Sequence, residues 1–154
     1  MKKRFAILTA AIGIVLSPSI RAAESPALMG PVKSVYADYL RIQASLAKDS
    51  LNGVNENAQA IETSIRGDDM KMLSTAVAKQ AEVLAKAKDL KTAREAFKPL
   101  SASLIKYLSD HKVPKGTYYE AYCPMVKASW LQSDKAIKNP YMGKEMLGCG
   151  ELRN

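Results

Sequence analysis

The amino-acid sequence predicts an all-α fold, an up-and-down four-helix bundle with an irregular C-terminal extension packed on it. Apolar residues recur at helical spacing between about residues 31 and 112, which indicates amphipathic helices. Capping residues and a glycine divide this stretch into four segments of roughly 15 to 20 residues, as in a helical bundle. From about residue 113 to residue 154 the helical period is lost and Tyr, Gly and Pro become frequent, which predicts turns and possible short strands.

The first 22 residues have the composition of a secretory signal peptide. Three basic residues at positions 2–4 precede an apolar run from Phe5 to Leu16, and small residues follow near position 22. The run is shorter than the ~20 residues of a membrane-spanning helix. We therefore expect residues 1–22 to be removed and residues 23–154 to form a single domain. This domain would be periplasmic or secreted, with no membrane insertion.

The first two helices are predicted from apolar stripes with steps of three and four residues. The first stripe consists of Val32, Val35, Tyr36, Tyr39, Ile42 and Leu46. Asp49 or Ser50 is placed to cap the second helix, and Gly67 is placed to end it. The second stripe is narrower and consists of Leu51, Val54, Ala58, Ile61 and Ile65.

The third and fourth helices are predicted in the same way. Asp68 and Asp69 would cap the third helix and lie at its positive end. Its buried side would carry Met70, Leu73, Val77, Ala81 and Leu84. A capping box beginning at Thr92 would open the fourth helix. Its stripe consists of Ala93, Phe97, Leu100, Leu104, Tyr107 and Leu108. Because Pro99 removes one backbone hydrogen bond inside this stripe, we expect a kink or an early helix end there.

The extension is too apolar to remain solvated, so we expect it to pack on the bundle. Trp130 and Leu131 are its candidate anchors. The aromatic and β-branched content of residues 117–122 predicts a short strand. Asn139 followed by Pro140 is a cap and first-turn signal, which predicts a short helix.

The charge distribution argues against a nucleic-acid partner. The chain has 23 basic and 15 acidic side chains, a formal charge of +8. Four of the basic residues lie in the predicted signal peptide, which leaves 19 basic residues and an excess of +4. The lysines are spread along the helices with acidic residues between them, as on a solvated surface. We therefore expect no nucleic-acid binding.

Both cysteines and three of the methionines are concentrated in the extension. Pro124 favours an extended backbone at Cys123, so the side chains of Cys123 and Met125 would point to the same side. In a helix that begins at Asn139, one face would carry three further residues with sulfur, Met142, Met146 and Cys149. The two segments could then face one another.

These five side chains leave three roles open, a metal site, a disulfide with packing methionines, or free thiols. Thiolate and thioether ligands favour Cu(I) over hard cations, so they form a candidate copper site. Zinc fits less well, because it takes four Cys or His ligands and the chain has two cysteines and one histidine. Alternatively, Cys123 and Cys149 form a disulfide, as is common in exported proteins. Such a staple would stabilise the fold by roughly 3 to 4 kcal/mol in the chain-entropy model and leave the methionines as packing residues.

The single histidine leaves little scope for catalysis. His111 extends the buried stripe of the fourth helix by one step, so it is either a ligand or a residue that stabilises the helix C-terminus. The sequence has no CxxCH for haem attachment, no CxxC and no GxSxG. We therefore expect that the protein is not an enzyme.

The extension carries a set of short motifs, which are CPM at 123–125, WLQ at 130–132, Ile137, NPY at 139–141, Gly143, ML at 146–147 and CGE at 149–151. With these motifs it resembles a bacterial family of domains of unknown function, numbered 3347. The resemblance extends more loosely to residues 39–46, Arg94, Phe97, Leu100, Ser101 and Leu104. Members of this family resemble exported helical modules. They occur alone or fused to periplasmic adaptor subunits of copper and silver efflux pumps.

The resemblance implies a metal-related role, with two departures in the ligand set. Tyr122 stands where several relatives carry histidine, and Met142 stands where many carry an aromatic residue, so a nitrogen ligand is lost and a sulfur ligand is gained. The expected function is that of a copper-binding accessory module whose partner is a periplasmic efflux adaptor. The alternative is a disulfide-stapled periplasmic interaction module without metal.

Overall fold

The computed structural model describes residues 26–114 and 116–153, so the predicted signal peptide lies outside the described residues. The helices are α1 (Gly30–Ala47), α2 (Val54–Arg66), α3 (Thr75–Ala85) and α4 (Leu90–Asp110). The strands are β1 (Tyr119–Cys123), β2 (Ala128–Gln132) and β3 (Glu151–Leu152). Short 3₁₀ helices lie at Pro26–Leu28 and Gly143–Met146. None of the helices described combines the length and the apolar character that crossing a membrane requires.

The C-terminal part contains a three-stranded antiparallel sheet, so the fold is mixed α/β and the all-α prediction is wrong. The strand order is β2-β1-β3. In the hairpin of β1 and β2, Cys123 lies opposite Ala128, and β3 adds a pair between Tyr122 and Glu151. The prediction failed because these strands are too short to show a period of two, and only residues 117–122 have a strand-like composition.

The helices pack against their neighbours in the chain, and β2 packs against both α4 and α1. Tyr39 of α1 stacks on Phe97 of α4 with ring centroids 4.8 Å apart. Trp130 and Leu131 of β2 are fully buried, which confirms them as the anchors of the extension. The sheet therefore shares one core with the first and last helices.

Most residues of the apolar stripes are buried as predicted, but Tyr36 and Leu51 are only half-buried and several helix boundaries differ. α2 begins at Val54, so Asp49 and Ser50 lie in the preceding turn. α3 begins at Thr75, and Met70 is 73% exposed instead of buried. The helix starts late because the Asp68 carboxylate accepts hydrogen bonds from the backbone N–H groups of Met70 and Met72. Such side-chain bonds favour a turn over a helix.

The fourth helix begins earlier than predicted and continues through its proline. Asp89 caps it by accepting a hydrogen bond from the Thr92 N–H at 2.7 Å, so the capping box at Thr92 is wrong. α4 then runs without a break across Pro99 to Asp110, so the expected early end is wrong as well. Burial of its apolar stripe outweighs the loss of a single backbone hydrogen bond.

Candidate metal centre

The two cysteine side chains meet in the extension. Their Sγ atoms are 3.2 Å apart, and both residues are free thiols. Cys123 is the last residue of β1 and is fully buried, whereas Cys149 follows the second 3₁₀ helix and is half-buried. The structure therefore brings together one inner and one outer sulfur with no bond between them.

The inner cysteine is surrounded by hydrogen-bond donors. Burial raises the pKa of the Cys123 thiol, but the Val126 N–H, the Cys149 thiol, the Met125 N–H and the Asn139 amide donate to its sulfur and lower the pKa below the ordinary value. The hydrogen bond to Cys123, together with burial, raises the pKa of Cys149. The surroundings therefore lower the pKa of the inner thiol and raise the pKa of the outer one.

The three methionines do not share the arrangement that the sequence predicts. β1 ends at Cys123, so Met125 lies in the hairpin turn and is 60% exposed. Met142 lies in a turn, half-buried against the core, and Met146 ends the 3₁₀ helix and is 37% exposed. The predicted helix from Asn139 is replaced by this turn and a single 3₁₀ turn. The helical face proposed for the sulfur atoms is therefore wrong.

Arg94 of α4 ties the C-terminal loop to the helices. Its guanidinium donates to the carbonyl oxygens of Pro140 at 2.8 Å and Leu46 at 3.1 Å, and it forms an ion pair with Asp49 at 2.5 Å. Asp49 also accepts the Lys144 N–H at 3.0 Å. The hydrogen bond from Arg94, followed by that from Lys144, lowers the pKa of the Asp49 carboxyl. This polar cluster fixes residues 140–144 of the C-terminal loop against α4 and the turn after α1.

Two glycines of the motif in the extension are close-packing positions. Gly143 has φ +59°, and a Cβ atom there would overlap Asp49 Oδ1 and Arg94 Nη2. A Cβ atom at Gly150 would lie 2.8 Å from the ring of Trp130. Both positions therefore require glycine for reasons of packing, whatever the extension binds.

The WLQ motif builds a buried polar connection. Trp130 Nε1 donates to Gln132 Oε1 at 3.0 Å. The Gln132 amide in turn donates to the carbonyl oxygens of Asp134 at 2.7 Å and Ala136 at 3.0 Å. Gln132 thus fixes the start of the loop that leads from β2 to Asn139.

His111 is placed at the end of α4. Its ring stacks on Tyr107 with centroids 4.1 Å apart, and Nδ1 lies 2.8 Å from the Tyr107 carbonyl oxygen. Within residues 26–114 and 116–153, no group of three or more His, Cys, Asp or Glu side chains is arranged to hold a metal ion. A soft ion in the extension would be held by the two thiolates, with methionine thioethers as the remaining soft ligands.

Sequence reasoning missed the polar residues that position the cysteine loop. Asp49 was expected to cap a helix, and Arg94 was noted only as part of a loose resemblance, because 45 positions separate them in the chain. Asn139 was expected to cap a helix but also contacts both cysteine residues. The available signal was the placement of Asn139 and Gly143 in the same motif as the cysteines.

No curated protein and no solved structure matches the chain. The family described as "Protein of unknown function (DUF3347)" matches residues 35–116, from α1 to the break after α4. This span is more than half of the chain, and the cysteine pair lies beyond it. The chain therefore belongs to the DUF3347 family.

Proposed function

We propose that this chain is an exported accessory module of heavy-metal efflux that binds one soft metal ion, Cu(I), through Cys123 and Cys149. The observation that carries the proposal is the 3.2 Å separation of the two sulfur atoms. Two sulfurs bound to one ion through bonds of about 2.3 Å lie roughly 3.8 Å apart in tetrahedral geometry and about 4.6 Å apart in linear geometry. An opening of the pair by about 0.6 Å or more would therefore admit the ion, and its ligands are of the soft type that copper prefers.

The electrostatics of the pair support the same function. Soft metal ions bind the thiolate and displace its proton. The N–H groups that lower the pKa of Cys123 therefore prepare one ligand before the metal arrives. Met125 is 60% exposed and unbranched, so its thioether is free to turn toward an ion, and Met146 and Met142 are further candidates.

The cellular context belongs to the proposal as well. The signal-peptide pattern of residues 1–22 supports a periplasmic or secreted location. The resemblance of the extension to modules of copper and silver efflux supports a periplasmic adaptor as partner. We propose no catalytic activity, and the placement of the one histidine at the end of α4, with its ring on Tyr107, supports this view.

A Cu(I) competition titration of the reduced protein tests the proposal. We expect one copper ion per chain, and we expect Cys149→Ser to weaken binding at least about hundredfold through the loss of one ligand. Met125→Leu and Met146→Leu keep apolar bulk and change stability by less than about 1.5 kcal/mol. Either variant weakens Cu(I) binding if its thioether is a ligand.

Met70→Leu is the matched control for the methionine variants, because Met70 is exposed in the loop before α3. It is expected to leave copper binding unchanged. Parent-like Cu(I) affinity in a variant that lacks both cysteines would contradict the proposed site.

The second candidate is a disulfide-stapled interaction module. The same sulfur separation favours it, because a modest approach of Cys149 toward Cys123 would allow the bond to form. Removal of such a bond typically costs roughly 2 to 5 kcal/mol. This candidate is preferred if the bond is complete in protein taken from the exported compartment and the reduced protein has no affinity for Cu(I).

A further inference from the structure

The backbone of Cys149 makes two hydrogen bonds, and its side chain packs against the core. Its backbone N–H donates to the Met146 carbonyl oxygen at 2.9 Å, which is a contact within the same short turn. Its carbonyl oxygen accepts the side-chain amide of Asn139 at 2.6 Å. The pairing of β3 with β1 begins only at Glu151, two residues later. The position of the outer sulfur therefore depends strongly on Asn139.

Asn139 is fully buried, and its polar groups form hydrogen bonds at both ends of the loop of residues 139–149. Its Oδ1 accepts the N–H groups of Tyr141 at 2.8 Å and Met142 at 3.1 Å, which caps the turn that opens the loop. Its backbone N–H donates to the Leu147 carbonyl at 2.8 Å, and its Nδ2 donates to the Cys149 carbonyl. The backbone bond to Leu147 and the side-chain bond to Cys149 together close the loop between residues 139 and 149.

We propose that Asn139 is the positioning residue of the cysteine pair, and that its amide Nδ2 holds the Cys149 backbone so that the two sulfur atoms meet. The capping oxygen and the positioning amide are two separate functions of one side chain. This inference rests on the proposed function only in that it concerns the same pair of thiols. It holds equally if the pair forms a staple.

Two substitutions separate these functions. Asn139→Asp keeps an oxygen that accepts the N–H groups of Tyr141 and Met142. It removes the amide that donates to the Cys149 carbonyl oxygen and to the Cys123 sulfur. Asn139→Ser keeps a capping oxygen, adds no charge and is too short to reach the Cys149 carbonyl. Asn55→Asp is the matched control, because the Asn55 amide also donates to two carbonyl oxygens, of Ala85 at 2.8 Å and Ala87 at 3.0 Å, in the helical part.

The measurement is the equilibrium of the full chain with glutathione. The two thiols lose two electrons and two protons and form one disulfide, and one glutathione disulfide becomes two glutathione thiols. The equilibrium constant reports how closely the protein holds the two sulfurs. We expect Asn139→Asp and Asn139→Ser to lower it at least about tenfold, the effect of one buried hydrogen bond. Asn55→Asp is expected to lower the unfolding midpoint and leave this constant unchanged.

The inference is overturned if both Asn139 variants stay within about twofold of the parent, or if Asn55→Asp shifts the constant equally. It is also overturned if neither Asn139 variant folds, since the residue would then serve the fold as a whole. A Cu(I) titration of the parent separates this inference from the proposed function. If the parent binds no copper while the Asn139 variants shift the glutathione equilibrium, the metal role fails and the positioning role stands.

Discussion

The helical part and the C-terminal extension are stabilised by different kinds of contact. In the helices, the fully buried positions are mainly apolar side chains at helical spacing, such as Val35, Ile42 and Leu100. In the extension, the buried residues include Gln132 and Asn139, whose amide groups have partners at defined distances. Apolar cores tolerate substitutions of similar volume. A buried polar group is costly when its one partner is lost.

This difference explains why a short extension of irregular backbone can hold two sulfur atoms in contact. Loops lack a repeating hydrogen-bond pattern, so side chains must supply the bonds that fix them. Here Arg94, Asn139 and Gln132 supply those bonds. The extension is therefore expected to respond sharply to single substitutions.

The largest effect is expected from Trp130→Ala. The side chain is fully buried and lies edge-on to Tyr141 with centroids 5.9 Å apart. Its removal is expected to lower the free energy of unfolding by about 3 to 5 kcal/mol. Urea denaturation followed by circular dichroism measures this loss. A change below about 1 kcal/mol would show that the extension is not part of the core.

Gly143→Ala tests the tight contact at the base of the loop. A positive φ costs an alanine about 1 to 2 kcal/mol, and the overlap with Asp49 and Arg94 adds to this, so a loss of about 2 to 4 kcal/mol is expected. Gly30→Ala is the control, because Gly30 has φ +55° and an added Cβ has nothing within 4 Å. Equal losses in urea denaturation would mean that the overlap contributes nothing.

Tyr39→Phe tests the polar bond that joins helix and sheet. The Tyr39 hydroxyl accepts the Leu131 N–H at 3.0 Å and shares a hydrogen bond with Ser101 at 2.8 Å. Phenylalanine keeps the ring but leaves a buried N–H unpaired, at a cost of about 1 to 3 kcal/mol. Tyr107→Phe removes one hydrogen bond, to the Ala27 carbonyl oxygen, and is expected to lower the free energy of unfolding by less. Urea denaturation of both variants measures the two losses. The reverse order would contradict the account.

The smallest effect is expected from the Asp49 ion pair and depends on pH. Because the pKa of Asp49 is lower in the folded chain than in the unfolded one, its contribution is complete above the unfolded value of about 3.9 and disappears as pH falls through the folded value. As pH falls below about 5, the Asp49→Asn variant should therefore lose less stability than the parent. Parallel urea midpoints across this range would show that the carboxylate contributes nothing.

Much of the helical part was predictable from the sequence, because its stabilising residues repeat along the chain. Tyr39, Ile61 and Phe97 of the apolar stripes are buried as expected, and the match over residues 35–116 confirms the family. Helix starts were less predictable, because more than one residue near each start can bond the backbone. Asp68 stabilises a turn before α3, and Asp89 caps α4 in place of Thr92. A local capping signal does not show which competing turn is more stable.

The sheet and the polar cluster of Arg94 and Asp49 could not be predicted, for two physical reasons. β2 and β3 have five and two residues, too few for a periodic pattern. The Arg94 and Asp49 side chains meet through tertiary structure and leave no local signal. The structure places the sulfurs of Cys123 and Cys149 in contact, and their role as metal ligands stays a prediction.

The central claim is that the Cys123 and Cys149 pair is a soft-metal site, and native mass spectrometry of the protein purified from its own compartment tests it most directly. The account predicts a chain whose mass includes one copper ion, with both thiols reduced and protected from alkylation until a chelator removes the metal. A chain that is two hydrogens lighter, carries no metal and gains none after reduction and exposure to Cu(I) would contradict it.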